Sequence, residues 1–353
     1  MKIKIEILFL FIIMIAVACS RPPAKLHIKG QQPQLSVGPD GVIRLVYGEK
    51  HSIWYAESHD EGLSFSEPVL IDSVPGMHLG MSRGPQLASS SAYSVVTAMD
   101  KAGDIHSYWL DQKHKKWHTG KSVNDLQGSA PEGLMGLAAD DADNFYAVWL
   151  DTRISKRNEI FFSYSRDHGM TWTKNKLIYK SPEGHVCECC KPNIAVRQGK
   201  IAIMFRNWLA GSRDLYIASS LDGGKTFSDI QKLGSGTWKL DGCPMDGGGV
   251  CFDYQGSICT VWQREGHVFF CRSGEMEMDT GEGRLCSLLS AGKDIYLSFQ
   301  DRDQLFLRDL TGGKLLDIGQ GGFIKSVLIP GNGIFCAWEK NDSIQYCRIN
   351  KSI

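Results

Sequence analysis

SLDGGKTF (Ser220–Phe227) decides the fold, because the chain carries the same phrase three times. SRDHGMTW (Ser165–Trp172) and SHDEGLSF (Ser58–Phe65) share its form, S-x-D-x-G-x-S/T-W/F. That form suits a tight hairpin. The Asp accepts backbone N–H groups inside the turn, the Gly takes a positive φ, and the closing aromatic packs inward. Asp60, Gly62 and Phe65, then Asp167, Gly169 and Trp172, then Asp222, Gly224 and Phe227 are therefore structural candidates rather than catalytic ones.

An alternating strand runs into each copy: SIWYAES, EIFFSYS, DLYIASS. Before it stands an apolar strand that ends in an aromatic, as in LVYGEK (Tyr47), AVWLDTR (Trp149) and IMFRNW (Phe205). TVWQRE (Trp262), LSFQDR (Phe299) and CAWEKN (Trp338) repeat that strand without the box, and VVTAMDK (Met99) fits it less well. A further strand leads in, often opened by proline, as in QQPQLSV, RGPQLAS and CCKPNIAV. Short strands, turn signals and no helical periodicity predict an all-β protein. Three or four strands in units of about 40–55 residues predict a β-propeller of four-stranded blades. Seven units are favoured, with six as the alternative. The segment Lys25–Lys29 is expected to supply the strand that closes the ring, which removes the free sheet edges.

The box resembles the Asp box, or BNR repeat, of the sialidase superfamily, and the repeat covers nearly the whole mature chain. The resemblance implies a propeller with the boxes at its rim, away from the site. Sialidases also bring three carboxylate-binding arginines, a tyrosine nucleophile assisted by a glutamate, and an aspartate acid/base. In many members an E-P pair precedes a strand, and an arginine and a box follow. CKPNIAVRQGKIAIMFRNW has that layout, with Arg206 matching the arginine and Lys191 in the glutamate's place. A lysine carries the wrong charge beside a tyrosine that must become anionic. The Arg-Ile-Pro motif is missing, Arg83-Gly84-Pro85 is a loose echo of it, and no tyrosine matches the nucleophile. AVWLDTR, VCECCKPN, FRNWLAGSRDLY and GCPMDGGG together resemble a group of exported bacterial BNR-repeat proteins, a likeness that brings no activity with it.

The first residues, MKIKIEILFLFIIMIAVACS, read as a secretory leader: two lysines, an apolar core, then small residues before a cysteine. They resemble a bacterial lipoprotein signal with Cys19 as the lipidation site, so the expected place is the cell envelope, held by a lipid anchor. The expected division is a signal at 1–19, a tether and ring-closing strand at 20–31, and one propeller at 32–353. Lys plus Arg and Asp plus Glu balance at 39 each, and no basic run occurs, which argues against nucleic acid. A monomer is expected.

In a propeller the segment that enters each first strand lies at the mouth of the central funnel. Aligning units on the proline puts His78, Met81 and Arg83 there from unit two, and Ser129 and Glu132 from unit three. Unit four brings His185, Cys187, Cys189, Cys190 and Lys191, and unit five brings Trp238, Asp241, Cys243, Met245 and Asp246. Four readings of the cysteines stand open. Cys187, Cys189, Cys190 and Cys243, with His185 and Met245, suit a soft metal, Cu(I) or Zn. Export equally permits disulfides, one of them joining units four and five through Cys243. A redox or nucleophilic thiol beside Lys191 is the third reading, and plain packing the fourth. Cys336 and Cys347 sit on neighbouring strands and are a further possible pair. Glu132 and Asp246 are candidates for acid/base work, or for capping a backbone. Arg206, Arg213, Arg83, Lys191 and Trp238 are candidates for holding an anionic ligand.

The leading expectation is a metal-binding or redox site at the funnel. The alternatives are a glycan-processing (exo-sialidase-like glycoside hydrolase) or glycan-binding protein, and a protein-interaction propeller with structural disulfides. The ligand is accordingly a small molecule, a glycan or a protein.

Overall fold

The computed structural model describes residues 28–350. The leader, Cys19 and the tether up to residue 27 lie outside the described residues. Each unit of the repeat is a four-stranded antiparallel sheet, and there are seven. The inner strands of successive blades adjoin around the ring, and the first blade's inner strand, Gln31–Val37, meets the seventh's, Gly322–Ile329. The outermost strand of blade seven is Ile28–Lys29, which pairs with Ser343–Ile349 at Ile28↔Ile344 and Lys29↔Ser343. The expected closing strand is therefore present in its last two residues.

The repeated aromatic has a clear physical role. On the second strand of five of the seven blades it stands directly opposite an aromatic of the third: Tyr47↔Trp54, Trp149↔Phe161, Phe205↔Tyr216, Trp262↔Phe269 and Phe299↔Phe306; in blade two Met99 faces Ile105, and in blade seven Trp338 faces Gln345. Such cross-strand pairs stabilise a sheet and fix its register. The core is distributed between blade faces rather than gathered at one centre. Leu134, Val148 and Phe162 of blade three, for example, pack against Ile201, Ile203 and Phe205 of blade four.

The three boxes are alike in detail. In the first, Ser64 N donates to Asp60 Oδ1 at 2.9 Å, and Gly62 N donates to Ser58 Oγ at 2.8 Å. Gly62 has φ +88°, and a Cβ there would lie 2.3 Å from the Phe335 ring of blade seven. Gly169 meets Val95 of blade two, and Gly224 meets Phe162 of blade three, in the same way. The closing aromatics follow: Phe65 contacts Phe335 and Tyr346, and Phe227 meets Phe162 edge-on. Trp172 Nε1 donates to Ser107 Oγ at 3.3 Å. Each box thus staples its own blade to the preceding one, which is a structural task.

Candidate functional site at the funnel mouth

The chain reaches the funnel after the outer strand of blade three, Lys176–Tyr179. It is held on the way in by Val186 N to Asn158 O (2.8 Å) and Cys187 N to Arg206 O (3.0 Å). It then turns through Cys189 and Cys190 into the inner strand Asn193–Arg197. The GGG run of blade five lies against this turn. A Cβ on Gly247 would come within 1.9 Å of Lys191 O, so the two backbones touch where only glycine fits. Asn193 Nδ2 ties them together through Lys191 O, Gly247 O and Gly248 O.

This contact gathers the sulfur. Cys187 Sγ lies 3.4 Å from Cys190 Sγ and 3.6 Å from Cys189 Sγ, and Cys189 and Cys190 are 3.9 Å apart. All three are buried, with Met245 packed on them. Cys189 is joined to the exposed Cys243 by a disulfide that links blade four to blade five. Two of the four readings therefore meet in one place, a bridge and a sulfur cluster. Cys187 and Cys190 remain thiols.

The cluster is polarised. Arg213 Nη1 donates to Cys187 Sγ at 3.2 Å, and its buried Nε has no hydrogen-bond partner. The Cys190 thiol, then the Arg213 and Arg206 charges, hold the Cys187 pKa down at about 6. Burial and the Cys187 sulfur push Cys190 up well above the ordinary thiol range. The pair therefore shares one negative charge near neutral pH, centred on Cys187.

The other candidates fall in different places. His185 stands outside the cluster, stacked on Trp208 with ring centroids 4.8 Å apart, its Nδ1 on Val186 O. Arg206 is only 1 % exposed. Its three nitrogens are spent on backbone carbonyls, Asp246 O, Arg213 O and Gln263 O, with Trp238 against its guanidinium at 5.4 Å. Its donors face the protein, bracing blade four against blade five. Asp246 caps backbone, taking Gly248 N at 2.9 Å and Leu285 N at 2.6 Å. Arg83 donates to Glu132 O at 2.6 Å, linking blades two and three. Lys191 reaches across the channel to Gln86 Oε1 of blade two at 2.6 Å. Burial, then the charge of Lys325, hold its pKa well below the usual lysine range. Cys336 and Cys347 are register partners in hydrogen-bond contact and form no disulfide.

Sequence reasoning missed the grip of Arg213 on Cys187, and it missed Lys325. The second had a signal: Lys325 is the lone charge in the apolar run FIKSVLI.

No family model and no curated protein matches this chain. Among solved structures, a lectin from Burkholderia pseudomallei superposes with a TM-score of 0.68 at 10 % identity, over 92 % of this chain and 97 % of that one. An ulvan lyase, a polysaccharide lyase, gives 0.57 at 10 % identity, over 92 % and 94 %. A Hadza microbial sialidase gives 0.51 at 13 % identity, with 92 % of this chain on 66 % of that one. What these likenesses show is the fold: this chain is a β-propeller, an architecture it shares with a lectin, a polysaccharide lyase and a sialidase.

Proposed function

We propose that the protein is an exported, lipid-anchored propeller whose funnel mouth binds a soft metal ion through cysteine sulfur, Cu(I) first and Zn second. The observation that carries this reading is the buried triad of Cys187, Cys189 and Cys190, each sulfur within 3.9 Å of the other two. Thiolates about 2.3 Å from a tetrahedral ion stand about 3.8 Å from one another. Sulfur without imidazole, beside Met245, suits Cu(I) better than Zn. The Arg213 donor and the low pKa of Cys187 supply a ready thiolate. Cys189 and Cys243 join the donor set only after their disulfide takes up two electrons and two protons, so metal loading follows thiol reduction. Protein reduced anaerobically with a small dithiol, desalted and offered Cu(I) should hold one ion per chain by elemental analysis, and the disulfide-intact protein should hold far less. Reduced protein that retains neither copper nor zinc overturns the reading and leaves the bridge as a link between blades.

A second reading, glycan binding, has its own observation. Blade five has no box, and its third-to-fourth-strand hairpin leaves Met276 93 % exposed. The outer strand of blade four, Gln231–Lys232, is two residues long. A cleft of about 850 Å³ remains between these blades, with Phe269, Thr260, Gln231 and Glu277 in its wall. An aromatic among hydroxyl, amide and carboxylate groups suits a sugar. The lectin and the lyase above add weight to that choice. Screening on a glycan array should give a ligand whose binding Gln231→Trp, which fills the cleft from its exposed wall, removes. Binding that survives this change assigns the sugar elsewhere.

A further inference from the structure

A second cavity lies in the channel wall itself, apart from the sulfur cluster. It has a volume of about 130 Å³ and is lined by the inner strands of blades four to seven and the segments that enter them, with Ser82 from the entry to blade two. Lys191 enters it from blade four and Lys325 from blade seven, on opposite sides of the ring. Lys191 has one hydrogen-bond partner, the neutral Gln86. Among the described residues neither Lys191 nor Lys325 has an ion-pair partner, and both line this one space. Asp246 borders the space, but its two carboxylate oxygens are taken by the N–H groups of Gly248 and Leu285. The ladder of blade seven is bulged between Gly322 and Lys325, with Phe323 at φ +58°, so Lys325 stands beside an irregular, re-aimed stretch of strand.

Two half-buried lysines that face one small space repel each other when both are charged, and a bound anion between them favours the charged form of each. The cavity is small, so it admits a tetrahedral oxyanion or the carboxylate head of a larger molecule, and it excludes a whole sugar ring. We infer that the central channel is an anion site, in which Lys191 and Lys325 clasp a small oxyanion or carboxylate from opposite blades.

Lys191 directly follows Cys190, so the test uses disulfide-intact, metal-free protein and changes the site only through Lys325. Phosphate, sulfate and acetate are titrated in turn against chloride at matched ionic strength, with melting temperature and calorimetric heat as readouts. At least one of the three should raise the melting temperature saturably, by about 5 °C at a hundredfold excess over Kd. Which one does so separates an oxyanion from a carboxylate. Lys325→Met, far in sequence from the cysteines, should abolish the shift and the heat, while Lys325→Arg should keep them. The absence of a saturable response to all three anions in the wild type overturns the proposal. So does an undiminished response in Lys325→Met. Should Lys325→Met not fold, the wild-type calorimetric titration still decides.

Discussion

Arg206→Ala is expected to lose about 4 kcal/mol or more of stability, seen as a lower denaturation midpoint. The side chain is buried, and its guanidinium donates to three carbonyl oxygens that belong to blade four, to the segment entering blade five and to blade five itself. Truncation removes all three donors at once and leaves the acceptors in a space too tight for free hydration. Each buried polar group left without a partner costs about 1–3 kcal/mol. Lysine does not rescue the loss, since one ammonium cannot span three divergent carbonyls. A ligand-holding arginine would behave in the opposite way, its removal lowering affinity and leaving the midpoint unchanged. Measuring the midpoint therefore decides between the brace and the ligand role that Arg206 has in the sialidase resemblance.

Cys187→Ser is expected to lower the Cu(I) affinity of the reduced protein by a factor of about 100 or more, measured by competition with a chromophoric Cu(I) chelator. Cys187 is the sulfur closest to both others and the one that takes the Arg213 hydrogen bond. Serine keeps the shape and removes the soft donor. The pH dependence follows from the same residue. The folded pKa of Cys187, about 6, lies below its unfolded value. The charge it contributes is therefore fully present above the unfolded value and is lost as pH falls through about 6. Cu(I) affinity should hold at neutral pH and fall below about pH 6, where protons compete for the sulfur. Equal affinity in Cys187→Ser, or no fall on acidification, would remove this cysteine from the ligand set.

The fold was legible because its determinants are local and repeated. Each box places a Ser, an Asp and a Gly at fixed offsets, and the hairpin needs nothing from elsewhere to form. In five of the seven blades the aromatic that ends the second strand also has an aromatic partner one hairpin away. Even the ring closure followed from counting strands in the last unit. The site was legible only in its location. Proline alignment brought the cysteines to one rim. Whether they were bridged or clustered depends on how closely two blades approach, which the GGG run of blade five sets through Gly247 against Lys191 O. His185 lies beside the cysteines in sequence, yet Trp208 turns its ring away from them. Arg206 aligned with a ligand arginine, and only the three-dimensional positions of Asp246, Arg213 and Gln263 reveal it as a brace. Lys325 is more than a hundred residues from Lys191 in sequence, and a bulge separates it from a regular inner strand.

The Cys189–Cys243 bridge also changes the connectivity of the ring. It spans a sequence separation of 54 residues and encloses every strand of blade four, from Asn193 to Lys232. A protease that nicked that blade would release no fragment until the bridge was reduced. Blade seven holds its outermost strand differently, by two residue pairs, Ile28↔Ile344 and Lys29↔Ser343, with no disulfide there among the described residues. Pulled from its N-terminal side, the side on which a membrane tether would act, the ring should part first at blade seven, while blade four stays locked.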